Sequence, residues 1–368
     1  MLKGLTRLWL RGVKQATNAQ TRQNKKLVKA FFAAPAAKKR AKPDGSKVAK
    51  LPAITDNPSA RLPGKWLASH YSTIFDDRSL PVRRMSYRLY LPEPLPAAPI
   101  PLVVMLHGCE QTAEQFSQGT RFNQLAQEKG FAVLYPQQSL RNHPNRCWQW
   151  YDKATQAGGG DVPLIAGTIE KVARQYGIDR TRIFIAGLSA GASMASIVAL
   201  NHPHVVAAVG MHSGTVFGAG HSRMGAYSVM QTGAAGLMAG AIRDIAESDS
   251  AFPAMPAILI HGQEDKVVRA VNMAQSAYQF KMLNRLSATD EKPVVIKPGG
   301  KAGRKNAAHP YRIFDHYKGR KLMLRVCDIA GLEHAWSGGN CKLRFNSCAG
   351  PDASKLMWNF FSRHRRLA

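Results

Sequence analysis

Five short apolar runs recur along the chain: "PLVVMLHG" (101–108), "FAVLYP" (131–136), "RIFIAG" (182–187), "VVAAVGMHS" (205–213) and "AILIHG" (257–262). They show no polar alternation, so each reads as a strand buried on both faces, the form strands take in a parallel sheet covered by helices. Between them lie amphipathic patterns. Ile165, Ile169, Val172, Ala173 and Tyr176 share one helical face, and Val268, Val271, Tyr278 and Met282 share another. Buried strands separated by such helices specify an α/β fold, a mostly parallel central sheet with helices on both faces. "MSYRLYL" (85–91) alternates like a further strand, and residues 311–331 read as two strands about a Lys-Gly turn. Residues 351–364 close with a helix capped at Asp352 or Ser354.

Charge divides the chain. Net charge is +28, and residues 1–50 alone hold fourteen Lys or Arg against the single acid Asp44. An Ala/Pro/Lys-rich segment of this kind cannot bury enough apolar surface to fold. Residues 1–65 therefore read as a basic, disordered N-terminal extension and 66–368 as one α/β domain, whose core the 45% hydrophobic content can fill. Such a tail can attract an anionic surface (nucleic acid, anionic lipid or a polymer granule), with no specific nucleic-acid recognition expected. No apolar run approaches the roughly 18–20 residues of a membrane span. Residues 1–13 lack the continuous apolar stretch of a signal peptide, which tilts the expected location toward the cytoplasm, an extracellular one being the alternative. The five cysteines form no CxxC, and neither an HExxH nor a Cys/His quartet occurs, so no metal or cofactor is expected.

One stretch carries chemistry. "RIFIAGLSAGASMAS" (182–196) runs from a buried strand into Gly187-Leu188-Ser189-Ala190-Gly191 and then a row of small residues. A bare turn is the simpler reading of Gly-x-Ser-x-Gly. A strand before the serine and a close-packing helix after it are what a nucleophile elbow needs, and the helix N-terminus sets N–H groups beside the serine oxygen. A serine hydroxyl also needs a base, and the base an acid to orient it, in the chain order Ser, Asp/Glu, His for this fold class. Glu264 and Asp265 follow the strand "AILIHG"; Asp265 is favoured as the acid, with helix capping as the alternative role for both. His261 reads as a strand-end packing residue. Of the downstream histidines, His334 in "IAGLEHAWSGG" is favoured as the base over His309, His316 and His364, the last two being expected at the surface.

Oxyanion donors are expected at the backbone N–H groups of Ala190, after the nucleophile, and Cys109, in the loop after an early strand. The Cys109 thiol could instead pair with Cys147, and Cys341–Cys348 would close a loop in an oxidising compartment. Trp148, Trp150 and Trp336 are candidate pocket residues, with core packing as the alternative. The glycine- and Met-containing stretch 215–252 could form a mobile apolar lip or a plain surface excursion. "KPGGKAGRKNAAH" (297–309) reads as a solvated loop, since it lacks phosphate-loop spacing.

Seven motifs in register, "PLVVMLHGCEQTAEQF", "GTRFNQLAQEKGFAVLYPQQ", "RCWQWY", "GLSAGASMA", "HSG", "HGQEDKVV" and "GLEHAWSGG…GPDAS", resemble the polyhydroxybutyrate-depolymerase family of esterases over about residues 85–362. The resemblance implies an α/β-hydrolase fold for 66–368, with Ser189 as nucleophile, Asp265 as acid, His334 as base and Cys109 in the oxyanion hole. Ala192 departs from it, standing where relatives often carry another glycine. The implied activity is a serine esterase working through an acyl-enzyme on poly- or oligo-hydroxyalkanoate or related esters. Feruloyl or acetylxylan ester hydrolysis is the alternative within the family. A rival of another class is a surface- or granule-binding protein with a basic tail and a non-catalytic hydrolase domain.

Overall fold

The computed structural model describes residues 62–73, 82–235, 238–248, 252–300 and 308–366. The extension up to residue 61, and with it the adhesive role expected of the tail, lies outside the described residues, as does most of the 297–309 loop. Ten strands form one sheet: β1 (Lys65–Ser72), β2 (Arg84–Leu91), β3 (Ile100–Leu106), β4 (Ala132–Gln137), β5 (Ile178–Leu188), β6 (Ala208–His212), β7 (Ala257–Gly262), β8 (Val295–Lys297), β9 (Tyr311–Lys318) and β10 (Lys321–Ile329). Their order is β1-β2-β4-β3-β5-β6-β7-β10-β9-β8. The run from β4 to β10 is parallel throughout. Antiparallel strands extend it on both flanks.

The apolar runs form the central strands, and β3, β6 and β7 are buried at every residue. The helices are α1 (Ala113–Thr120), α2 (Phe122–Lys129), α3 (Lys153–Gln156), α4 (Val162–Gln175), α5 (Ala190–Asn201), α6 (Arg223–Thr232), α7 (Met238–Ser248), α8 (Val271–Leu283) and α9 (Ala353–Phe361). Alternate residues of β3 feed two separate cores. Leu102, Val104 and Leu106 join Ile165, Ile169 and Val172 of α4 on one face. Val103 and Met105 join Phe116, Phe122, Phe360 and Phe361 on the other. That is the pattern of a sheet covered on both sides. Asp352 caps α9, its side chain accepting from the Lys355 N–H, and Gly319 takes φ +59 in the turn between β9 and β10.

Three expectations are corrected. In α8, Val271 and Tyr278 are exposed, while Asn272, Ser276, Gln279, Phe280 and Leu283 are buried; Val268 precedes the helix. The buried amides are recruited by neighbouring backbone: Asn272 Nδ2 donates to the carbonyls of Val229 and Met230, and Gln279 Nε2 to that of Phe217. Hydrogen-bond demand there overrides apolar periodicity. His316 is buried, because β8 and the short turn at 288–290 cover β9. His364 is buried too, its ring against Phe360 at 4.5 Å. The chain beyond it folds back, Arg366 donating to the carbonyls of Thr181 and Val206. Among the described residues no helix is long and apolar enough to cross a membrane, and no cluster of ligands is placed to hold a metal.

Candidate active site

Ser189 stands between the last residue of β5 and the first of α5, at φ 57° and ψ −124°. Few L residues adopt this region, and such strain persists only where the surroundings enforce it. Here main chain enforces it. A Cβ at Gly191 would lie 2.1 Å from the Leu106 carbonyl oxygen and 2.5 Å from that of His107. One at Gly187 would lie 2.4 Å from the Gly191 carbonyl carbon. The glycines on either side of the serine are therefore compulsory, because α5 starts in contact with the end of β3. The Ser189 N–H donates to the His212 carbonyl at 2.9 Å, tying the elbow to β6.

Ser189 borders a narrow, mainly apolar cleft with Ala190, Cys109, Trp150, Met230, Val267 and Val268 among its walls. Ala190 opens α5, so its N–H has no acceptor a turn earlier. Among the described residues the Cys109 N–H has no hydrogen-bond acceptor either. Cys109 and Ala190, the two expected oxyanion donors, thus share one cavity with Ser189.

The loop after β7 supplies Asp265, and the loop after β10 supplies His334. Asp265 Oδ2 lies 2.7 Å from His334 Nδ1 in a buried pair. A carboxylate only accepts, so Nδ1 carries the hydrogen and Nε2 keeps its lone pair. Asp265 Oδ1 accepts from the N–H groups of Val267 and Val268 at 3.0 and 2.9 Å, so the loop that orients the acid also walls the cavity. Burial raises the Asp265 pKa, but His334, His261 and the Val268 N–H outweigh it and bring the carboxyl down to about 2. Glu264 points to solvent, and α8 begins at Val271 with Ala270 at its N-cap position, so neither acid caps it. His261, buried as expected at the end of β7, does more than pack: its Nε2 donates to the Val268 carbonyl at 2.8 Å and lies 3.6 Å from Asp265 Oδ2.

The loop after β3 that carries Cys109 is fastened at several points. Cys109 and Cys147 form a disulfide, as do Cys341 and Cys348. Trp148 Nε1 donates to the His107 carbonyl at 2.9 Å, and the Glu110 N–H to that of Asn145 at 2.7 Å. His107 Nε2 accepts from the Gln138 N–H at 3.1 Å. Burial lowers the His107 pKa to about 4, so its ring stays neutral. Of the three candidate pocket tryptophans only Trp150 lines the cavity. Trp148 is a buried strut for the loop that carries Cys109. Trp336 is core, stacked on His212 with centroids 5.2 Å apart and donating from Nε1 to Ser354 Oγ at 3.2 Å. Val267 and Val268 were not expected at the cavity, because nothing in their spacing marks a wall assembled from three separate segments. Among its described residues the 215–252 stretch holds α6 and α7, and Thr215 and Met230 are its contributions to the cavity.

A six-strand parallel core, a serine elbow at the end of β5, and an Asp–His pair on the loops after β7 and β10 define an α/β-hydrolase. The esterase PHB depolymerase family model matches residues 85–293. The chain belongs to that family. It is 28% identical over 249 residues to poly(3-hydroxyalkanoate) depolymerase C of Paucimonas lemoignei, covering 67% of this chain and 57% of that protein. It is 30% identical over 222 residues to feruloyl esterase B of Thermothelomyces thermophilus (57% and 74% covered). To acetylxylan esterase A of Talaromyces purpureogenus it is 34% identical over 136 residues (36% and 35%). The chain thus spans little more than half of the depolymerase and about a third of the acetylxylan esterase. The solved acetyl xylan esterase from Aspergillus awamori superposes with a TM-score of 0.60 at 19% identity, covering 80% of this chain and 99% of that one, a likeness of fold.

Proposed function

We propose that the protein is a carboxylic ester hydrolase that works through an acyl-enzyme on Ser189. Ser189 Oγ attacks the ester carbonyl while His334 Nε2 takes its proton. The oxyanion is held by the N–H groups of Cys109 and Ala190. As the tetrahedral adduct collapses, His334 returns the proton to the leaving alcohol, and Asp265 steadies the transient imidazolium. Water then attacks the acyl group by the same route in reverse, releasing the acid and restoring the serine. The sequence as drawn needs no metal or cofactor.

The observation that carries this reading is the strained Ser189 at a cavity shared with two unengaged N–H donors. The intact set also speaks against a non-catalytic hydrolase domain. For substrate we favour hydroxyalkanoate or related esters, since Trp150, Met230, Val267 and Val268 give the space beside Ser189 an apolar wall. Feruloyl or acetylxylan esters are the alternative. A serine-directed phosphonate should label Ser189 alone, read by mass spectrometry. Hydrolysis rates on p-nitrophenyl butyrate, hydroxybutyrate oligomers, acetylxylan and methyl ferulate then rank the substrates. No label on Ser189 and no turnover of any ester would defeat the proposal. For the basic segment we propose adhesion to an anionic or particulate surface. A chain beginning at Leu62 should hydrolyse a small soluble ester like the full chain, yet lose binding to anionic vesicles or polymer granules. Equal binding at low and high salt would remove the adhesive role.

A further inference from the structure

His212 is fully buried at the end of β6 and belongs to neither the acid–base pair nor the cavity wall. Its contacts nevertheless reach both halves of the site. Its carbonyl accepts the Ser189 N–H at 2.9 Å, a bond that ties the strained residue to the neighbouring strand. Its ring Nε2 accepts the Ser337 N–H at 3.2 Å, three residues beyond His334. The ring also stacks on Trp336, between those two residues, at an interplanar angle of 28°. Nδ1 lies 3.3 Å from Ser213 Oγ. A backbone N–H can only donate, so Nε2 must be bare and Nδ1 must carry the hydrogen, directed at the Ser213 hydroxyl.

Resting on the esterase reading, we propose that His212 is a positioning residue that sets the base loop against the nucleophile elbow, through its ring on one side and its carbonyl on the other. The Asp265–His334 bond orients the imidazole about its own axis but does not locate the loop relative to β5. Ser337 is held from behind by α9, its hydroxyl donating to the Pro351 carbonyl at 2.6 Å and its carbonyl accepting the Ala353 N–H at 3.0 Å. The His212 acceptor is the matching tie toward the nucleophile. An error of about 1 Å between base and nucleophile can cost about a hundredfold in rate. The ring must remain neutral to accept, and burial, followed by the neighbouring His261 and His334, lowers its pKa to about 3.

The test compares full-length His212→Phe, His212→Gln and Ser213→Gly with the parent on p-nitrophenyl butyrate, counting active sites by phosphonate titration. Phenylalanine keeps a ring for Trp336 and deletes the acceptor. It should lower kcat per titrated site at least tenfold, with KM within threefold and the midpoint of the pH–rate profile unmoved, because the Asp265–His334 bond is untouched. Glutamine restores a carbonyl acceptor and should recover a third or more of the lost rate. Ser213 sits at φ +53°, which glycine accepts. Ser213→Gly removes the hydroxyl that faces Nδ1, leaving the Ser337 N–H to set the tautomer, and should lower kcat per site about threefold; it decides the matter if the phenylalanine variant does not fold. Parental kcat per titrated site in the variants, with fewer sites titrated, would reduce His212 to a packing residue. Equal loss in the Phe and Gln variants would also overturn the assignment. A parent that takes no phosphonate and cleaves no ester would instead defeat the esterase reading itself.

Discussion

The elbow and the segment from Gly214 to Thr232 border the same cavity, yet they are held in place by different means. Around Ser189 the constraints are main chain against main chain: the Ser189 N–H on the His212 carbonyl, Gly191 pressed to the Leu106 and His107 carbonyls, and Gly187 to the Gly191 backbone. The other segment hangs on side-chain amides. Gln279 pairs with both the N–H and the carbonyl of Phe217, at 3.1 and 2.9 Å, and Asn272 holds the carbonyls of Val229 and Met230. Gln156 donates to the Ala219 carbonyl at 2.9 Å. Main-chain contacts admit few substitutions, whereas amide anchors can be exchanged without disturbing the sheet. The first arrangement suits chemistry that must not vary, the second a wall that selects substrate.

The largest test of this contrast is Ser189→Ala. It should lower turnover by about 10⁴-fold or more and leave the thermal midpoint unchanged, because the alanine needs no partner in the elbow. Purified variant retaining more than a tenth of the activity would end the assignment. Gly191→Ala follows. Its Cβ meets two backbone oxygens that cannot move without shifting β3, so a loss of roughly 3 kcal/mol or more in urea unfolding is expected, together with most of the activity. Gln279→Ala, by contrast, strands two backbone groups of the wall and should cost about 1–3 kcal/mol while p-nitrophenyl acetate is still hydrolysed. Similar activity losses for the two would erase the distinction between the regions.

The same contrast explains what could be read in advance. The central strands, the elbow and the Asp265 and His334 positions were legible because uninterrupted apolar runs have only one place in a covered parallel sheet, and because the glycines about Ser189 answer a steric demand. The inverted face of α8 was not legible. Its buried Asn272 and Gln279 serve loop carbonyls far away in sequence, which no local period encodes. His316 and His364 were misplaced for a related reason: β8 and the turn at 288–290 cover the one, and the chain end folding back toward Thr181 and Val206 covers the other, contacts that no local pattern encodes. His212 stood in a quoted motif, but its role depends on β6 lying beside β5, which sequence order alone does not state.

Acid should attack the elbow region before the wall. His107 and His212 are buried and neutral, with pKa values lowered by burial to about 4 and about 3, whereas His221 beside α6 is exposed. In the unfolded chain each titrates near its ordinary value of about 6.5. The folded pKa being the lower one, their contribution is complete above that pH and is lost as pH falls toward 3–4. Between pH 7 and 5.5 the two together should remove about 2–3 kcal/mol of stability, seen as a falling urea midpoint. The depressed Asp265 carboxyl acts with the same sign but only below about pH 4. A midpoint flat from pH 7 to 5 would mean that these rings hydrate or move, and that the elbow is less rigid than its contacts imply.

The smallest expected effect lies in the wall. Met230 is buried on α6, and its carbonyl is tied to the Arg269 N–H at 2.8 Å and to Asn272. Its side chain can therefore be shortened without releasing the helix. Met230→Ala removes an apolar boundary facing the same space as Trp150 and Val268 and lengthens the acyl group the cavity accepts. A methylene in an apolar pocket changes kcat/KM by about tenfold or somewhat more, so the hexanoate-to-acetate ratio on p-nitrophenyl esters should rise by about that factor. Acetate turnover itself should stay within a few-fold of the parent, since Ser189, His334 and the two N–H donors are untouched. Stability should drop by about 2 kcal/mol, the low end for a buried methionine truncation, because one side of the residue already borders open space. If acetate and hexanoate fall together, Met230 acts through the loop that carries Asp265, and the wall and the chemistry are less separable than their anchors suggest. If the ratio is unchanged and both rates hold, the acyl chain leaves the cavity by another side, and the wall built by α6 faces the alcohol instead.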